Sequence, residues 1–447
     1  MAKIIPFRGI LYNQEKIKNV EEVVAPPYDV ISSEQQDSYY RKHENNIIRL
    51  ILGKEYGSDS EKENRYTRAA TYFADWQKSG VLSRDKQGSF YLYRQEYAIG
   101  GKRKIRDGLI ALVKLEDFES GTILPHEGTF SSAKADRYQL MQSCQANFSP
   151  IFSLYSDPEK TIDGSWEQEV LEPPLIKIND NDEVTHKVWR ISQPEIIKKI
   201  EKDMSKKTLF IADGHHRYET ALNYRNFMRK KTPHYTGKES FNYLMMYFTN
   251  MDGEGATILP VNRLVNGVID FNFEYFLKNI QEYFVIEKFE FRHANETESR
   301  RTFIDRLERE TKGSSFGVYS RGGLCYYLFI LKDKNKVEDI LSSREEPVRN
   351  LDIVVLHDLI FKRIMKIKEE DEDKFIKYDA ERERGLDLVK AGEYQIVFLV
   401  NETKIEQVKA VAEAGVKMPK KSTFFYPKLI SGLVINKIVP EETNIDS

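Results

Sequence analysis

The chain lacks most of the features that mark a secreted, membrane-spanning, metal-built or nucleic-acid-binding protein. Only two cysteines, Cys144 and Cys325, occur in 447 residues. They offer neither a disulfide framework nor closely spaced metal ligands, and their scarcity suits a reducing cytoplasm. No apolar run reaches the roughly 18–20 residues of a membrane span. The opening segment, MAKIIPFRGILYN, turns polar too early for a secretory signal. There is no HExxH motif and no glycine-rich GxxxxGK[ST] phosphate loop. An excess of one charge is also missing: 68 Lys and Arg against 70 Asp and Glu leave −2. No broadly basic domain therefore exists to hold a nucleic-acid backbone, although Lys417 to Lys421 forms a local basic patch. These absences lead us to expect a cytoplasmic chain with neither membrane nor nucleic acid as partner.

Aromatic residues are plentiful. The 25 Tyr and 25 Phe argue for a packed core rather than disorder, and the length allows two or three domains. Helical and extended patterns alternate throughout, so the expected class is α/β (α+β). Asn64 to Lys78, Ala133 to Gln145 and Pro194 to Met204 read as helices. Ser89 to Leu115 reads as a β-hairpin turning at Gly100-Gly101. Ile151 to Tyr155 reads as a strand, and VVAPPYDVIS as a rigid non-helical loop, because Pro26 and Pro27 fix φ. After about Phe271, helices (Tyr275 to Tyr283, Glu298 to Lys312, VVLHDLIFKRIM) alternate with strands (Ser315 to Tyr319, Tyr326 to Leu331, Tyr394 to Val400). A last helix closes at Gly415.

The chemistry-bearing residues cluster. In LFIADGHHRYETALNYR a short apolar strand ends at Asp213, Gly214 allows a sharp turn, and a helix begins with His215, His216 and Arg217. A helix N-terminus favours anions, phosphate above all, and these side chains add donors there. The plain alternative is a capped helix start with surface histidines. ILPHEGTF holds His126 and Glu127 after a proline, where the carboxylate suits a general base. Lys134, Asp136 and Arg137 share a helix, with Asn147 and Ser149 nearby in sequence. Arg137 suits bidentate binding of a carboxylate or phosphate, or else a surface ion pair. KKSTFFYPK brings Lys420, Lys421, Ser422, Thr423 and Lys428. Adjacent histidines seldom share a metal, so a structural zinc is not expected. Mg²⁺ held mainly by a substrate phosphate is the more plausible ion.

Several segments in order resemble the domain-of-unknown-function family 1015: PFRGILYN, VVAPPYDVIS, NIIRLILG, ILPHEGTF, ADRYQLMQSCQANFSPIFSLY, LFIADGHHRYETA, ILPVNRLV and MPKKSTFFYPKLISGLV. One departure is Asn262, where the family more often has histidine. The resemblance implies a ParB/sulfiredoxin-like core over residues 116–265, carrying Pro125-His126-Glu127 and Asp213 to Arg217. Additional α/β regions would span 1–115 and 266–447. It also implies likeness to ADP-dependent free-serine kinases, whose DGHHR and PHE motifs are matched here. On that basis Glu127, His216 and Asp213 would be catalytic. Gly214, His215, Arg217, Lys421 and Ser422 would bind phosphate or nucleotide. His126, Arg137 and Asn147 would bind substrate.

A sulfiredoxin needs a cysteine at the corner and a DNA clamp a helix-turn-helix; neither is present. The expectation is a nucleotide-dependent phosphotransferase using ADP or ATP, with Mg²⁺, on a small hydroxyl metabolite such as L-serine or O-phosphoserine. Two alternatives are a nucleotide-binding regulatory or scaffold protein without turnover, and a metal-dependent phosphatase using His126 and the His215-His216 pair.

Overall fold

A computed structural model describes residues 2–129, 131–311 and 313–439. The class is mixed α/β, as the alternating patterns require. The chain divides into two compact units. The first comprises Met1–Pro125, Thr129–Thr257 and Pro427–Ser447, and the second His126–Gly128 and Ile258–Tyr426.

The first unit is built on a nine-stranded sheet. Its strands are β1 (Ile4–Ile5), β2 (Phe90–Ile99), β3 (Lys102–Lys114), β4 (Ile123–Leu124), β5 (Ile151–Tyr155), β6 (Ile176–Asn179), β7 (Thr185–Ile191), β8 (Leu209–Asp213) and β9 (Tyr243–Asn250). The order is β4-β8-β5-β9-β3-β2-β7-β6, with β1 added on β3. Pairing is antiparallel except for β8 with β4 and β9 with β5. The hairpin β2–β3 turns where the sequence places it. Gly100 and Gly101 have φ of 56° and 74°, which a two-residue hairpin of this hand demands. Strand β9 is buried at every position, consistent with its run of Tyr, Leu, Met and Phe.

Helices α1 (Arg65–Lys78), α2 (Ser131–Cys144), α3 (Pro194–Met204) and α4 (His215–Lys231) belong to this unit. Asn64 caps α1 by accepting from the backbone N–H of Tyr66 and Thr67. The buried face of α3 is Ile197, Ile200 and Met204, at the i, i+3, i+7 spacing of an amphipathic helix. These residues join one core with Leu92, Leu109, Leu209, Ile211, Tyr218 and Phe248. Burying a side chain of that size contributes about 1.5–3 kcal/mol. Phe130, the last residue of ILPHEGTF, lies outside the described residues.

The second unit holds a six-stranded antiparallel sheet of β10 (Asn262–Val265), β11 (Phe284–Glu290), β12 (Ser315–Ser320), β13 (Cys325–Leu331), β14 (Ile376–Asp379) and β15 (Ile396–Leu399). The order is β11-β13-β12-β15-β10-β14. Helices α5 (Phe273–Ile280), α6 (Glu296–Arg309), α7 (Arg382–Lys390) and α8 (Ile405–Glu413) accompany it. The helix expected over Glu298 to Lys312 is α6, and Lys312 itself lies outside the described residues. VVLHDLIFKRIM is helical but wider than expected, with π-type turns over Val355–Ile364. Gly415 follows α8 at φ 70°, the left-handed position that a helix end favours.

Candidate functional site

The corner between β8 and α4 lies wholly in the first unit. The register of β8 against β5 shifts between Ile211 and Asp213, a bulge that re-aims the strand end. Gly214 then has φ 96° and is the N-cap of α4. Glycine is needed there twice over. The left-handed backbone disfavours any side chain, and an added Cβ would sit 2.9 Å from Arg217 Nη2. As a cap, glycine also has no side chain to accept from the first turn. The backbone N–H groups of His215, His216 and Arg217 open the helix at its positive end.

Arg217 folds back over this turn. Its Nη1 donates to Pro150 O at 2.7 Å and its Nη2 to Asp213 Oδ2 at 3.2 Å. The other oxygen of Asp213 lies 3.3 Å from Lys428 Nζ. Asp213 thus stands between two cations and orients both. Lys428 arrives from far along the chain. Its segment is anchored to the sheet, because Gln95 donates to Lys428 O at 2.9 Å and the buried Arg106 donates to Pro427 O.

Beside the corner lies a small cleft of about 50 Å³, open in part to solvent. Its polar lining is Tyr28, Arg137, Asn147, Ser149, Arg217 and Thr220. The rest is apolar, with Ile51, Leu140, Met141, Phe148, Ile151 and Leu244 among the lining residues. Arg137 stacks its guanidinium 3.8 Å above the Tyr28 ring centre. Its Nη1 donates to Ile51 O at 2.8 Å and its Nε to Asp136 Oδ2 at 2.6 Å. Asp136 also accepts from Arg65 Nη2 at 2.5 Å and Tyr66 OH at 2.7 Å. Burial pushes the Tyr28 hydroxyl up to about 12, so it stays a neutral donor at physiological pH. Helices α2 and α4 are tied together near the cleft by Lys134, whose Nζ is 2.7 Å from Glu219 Oε2.

Other predicted residues have different surroundings. Asn147 lines the cleft, but its Oδ1 accepts from Met245 N and from Asn436 Nδ2, so that oxygen serves the fold. Glu127 and His126 belong to the second unit. Glu127 Oε1 accepts from Ser422 N at 3.0 Å, Thr423 N at 3.2 Å and Thr423 Oγ1 at 3.2 Å. His126 is fully buried, its Nε2 2.9 Å from Thr423 Oγ1 and its ring edge-on to Phe425. Such a ring holds the loop; it has no surface to offer a substrate. Ser422 is buried, with its hydroxyl donating to Pro419 O at 2.6 Å. Lys421 is exposed and has φ 57°.

Three participants are not marked by the sequence reading: Tyr28, Gln95 and Arg106. In sequence Tyr28 reads as part of a rigid loop; its place directly after two φ-fixing prolines is the signal for a stacking platform. Arg106 and Gln95, which hold the Lys428 segment, gave no local signal. Among the described residues no three His, Cys, Asp or Glu side chains group as a metal site would need. No described helix is long and apolar enough to cross a membrane.

Similarities to solved structures are remote. A free serine kinase mutant in complex with ADP is 13% identical with a TM-score of 0.34, over 74% of this chain and 90% of that one. SbnI with a C-terminal truncation, from Staphylococcus aureus, is 12% identical with a TM-score of 0.33, over 74% and 87%. A conserved hypothetical protein from Pyrococcus furiosus is 13% identical with a TM-score of 0.32, over 72% and 92%. Below a TM-score of 0.5 such likenesses settle neither fold nor function. No curated protein matches the chain. The model of the family described as Protein of unknown function (DUF1015) matches residues 4–354, well over half of the 447, and the chain belongs to that family.

Proposed function

We propose that the cleft beside the β8–α4 corner binds a nucleotide by its phosphates, and that the protein is a nucleotide-dependent phosphotransferase acting on a small hydroxyl metabolite. The observation that carries the reading is the composition of that cleft. A helix N-terminus with a glycine cap and two oriented arginines, Arg137 and Arg217, adjoins a largely apolar lining that includes the Tyr28 ring. An anion with an attached flat apolar group suits such a lining, and a nucleotide has both. Arg217 and the first turn of α4 would take the phosphates, with His215 and His216 as further donors. Asp213 would act as a positioning residue, since its carboxylate orients Arg217 and Lys428. With both oxygens near cations it is a poor ligand for Mg²⁺, which would come with the nucleotide's own phosphates.

Glu127 is put forward as the base on its Pro-His-Glu motif. Phosphoryl transfer asks the protein for positioning, charge neutralisation and one such group. The ParB/sulfiredoxin-like core and the choice of L-serine or O-phosphoserine as first substrate are proposals of the same standing. A phosphorus NMR time course tests them, with ADP or ATP, Mg²⁺ and L-serine, and O-phosphoserine with AMP or ADP in parallel. New phosphoserine or nucleotide resonances that vanish with Glu127→Gln support the proposal. Release of phosphate from phosphoserine without nucleotide supports a phosphatase instead.

A second reading, a nucleotide sensor without turnover, is favoured by one observation. Glu127 Oε1 already accepts three hydrogen bonds within its own unit, as a structural carboxylate does. Line broadening of the nucleotide with no new resonance supports that reading.

A further inference from the structure

The second unit holds a cleft of about 290 Å³, partly enclosed, and every residue lining it belongs to that unit. Three stretches of chain form it. Ser314, just before β12, and Leu331, the end of β13, are joined by a bond from Leu331 N to Ser314 O at 2.9 Å. The short helix Asn335–Leu341 supplies one wall and the segment 346–355 the other. The floor is apolar: Leu331, Val337, Leu341 and Val355 line it and are 9% exposed or less.

The rim carries both signs, with Lys334 and Arg349 as cations and Glu338 and Glu346 as anions. The arginine is held ready. Its Nε and Nη2 donate to Arg344 O at 3.2 and 3.0 Å. Arg344 is fixed in turn by the buried Asp358, donating to its two oxygens at 2.8 Å each. Arg349 Nη1 meets Glu338 Oε1 only at 3.4 Å, and these side chains are 27% and 58% exposed. Glu346 is oriented by Asn350, whose Nδ2 donates to its Oε2 at 2.6 Å. Lys334 is exposed and acts also on Asp352, whose carboxyl burial holds above the usual range against that pull and a hydrogen bond from Ser314. The rim charges are thus compensated, but the contact between Arg349 and Glu338 is long and screened by solvent, so a ligand replaces it at small cost.

Two cations and two anions cancel, so the rim favours neither an anion nor a cation. It offers partners to both ends of a zwitterion, above a floor that gains from being covered by an apolar group. The volume lies near the roughly 300 Å³ at the lower end of small-molecule sites. We propose that this cleft binds a free α-amino acid with an apolar side chain, its carboxylate on Arg349 and Lys334 and its ammonium on Glu338 and Glu346. The inference goes beyond the nucleotide reading and does not rest on it.

Titration calorimetry on the full chain tests it, with L-leucine and L-phenylalanine as probes. Each is run beside the acid that lacks its ammonium and the amine that lacks its carboxylate. The expected result is saturable binding of at least one amino acid at one site, about tenfold tighter or more than either of its single-charge analogues. Arg349→Met should weaken it by about tenfold or more. Asn335→Trp, at an exposed position in the lining, fills the mouth of the cleft and should weaken it as much. That variant keeps the test decisive if Arg349→Met does not fold. Arg217→Met should leave the binding unchanged. Absence of saturable heat with both amino acids overturns the proposal, as does an analogue that binds as tightly as its amino acid. Binding that Asn335→Trp leaves unchanged, or that Arg217→Met abolishes, places the ligand elsewhere and overturns it too.

Discussion

Replacing Arg217 by methionine removes the one side chain that joins the β8–α4 corner to the cleft. The variant loses the 2.7 Å bond to Pro150 O, the contact with Asp213, and one of the two guanidiniums in the lining. The bond to Pro150 is worth about 1–2 kcal/mol to the fold. The Asp213 pair adds less, since its members are 13% and 22% exposed at the side chain and screened accordingly. Methionine retains most of the aliphatic packing. The fold should therefore survive with a melting temperature lower by a few degrees. Binding should suffer more. A charge-assisted hydrogen bond to phosphate contributes about 1.5–3 kcal/mol, which is about a tenfold to hundredfold loss of affinity. Arg217→Lys keeps the charge without the planar fork and should fall between the two. Titration calorimetry with ADP at fixed ionic strength reads the difference. Affinity within twofold of the parent chain, with the fold intact, would refute the assignment of Arg217 to the phosphates.

Other predictions follow from the same geometry. Gly214→Ala forces a side chain into φ 96° and against the Arg217 guanidinium; it should cost about 1–2 kcal/mol in urea unfolding and weaken ADP binding with it. Asp136→Asn leaves Arg137, 9% exposed at its side chain, without its carboxylate; destabilisation of about 2–3 kcal/mol is expected, short of a fully buried pair because Asp136 is 19% exposed. Glu127→Gln should abolish turnover while ADP affinity stays within threefold, read by the NMR time course and calorimetry together. Burial holds the His357 pKa below its ordinary 6.5, against the pull of Glu372. The unfolded chain then takes up a proton that the folded one refuses. Stability present above pH 6.5 is lost as the pH falls from 6.5 toward the depressed folded value, and thermal melts should show a shallower loss over that range for His357→Gln.

Much of this was legible because the signals are local. Gly100-Gly101 dictates a hairpin, the spacing of Ile197, Ile200 and Met204 dictates a helix face, and the run ending at Asp213-Gly214 dictates a strand-to-helix corner. The partners of the corner were harder to read. Lys428 meets Asp213 from 215 positions along the chain, its segment held by side-chain bonds from Gln95 and Arg106 that no periodicity encodes. His126 looked like a site residue by type; its burial against Thr423 and Phe425 depends on a loop nearly three hundred residues away. The π-type turns at Val355–Ile364 escaped for a different reason: their apolar pattern is indistinguishable from that of an ordinary buried helix.

The central claim is that the cleft at the β8–α4 corner binds nucleotide phosphate, and a crystal structure of the full chain grown with ADP tests it most directly. The account predicts the diphosphate against the first turn of α4, within hydrogen-bond distance of Arg217, and the base in the apolar part of the cleft near Tyr28. A structure at saturating ADP with the nucleotide bound elsewhere, or with the cleft empty, would contradict it.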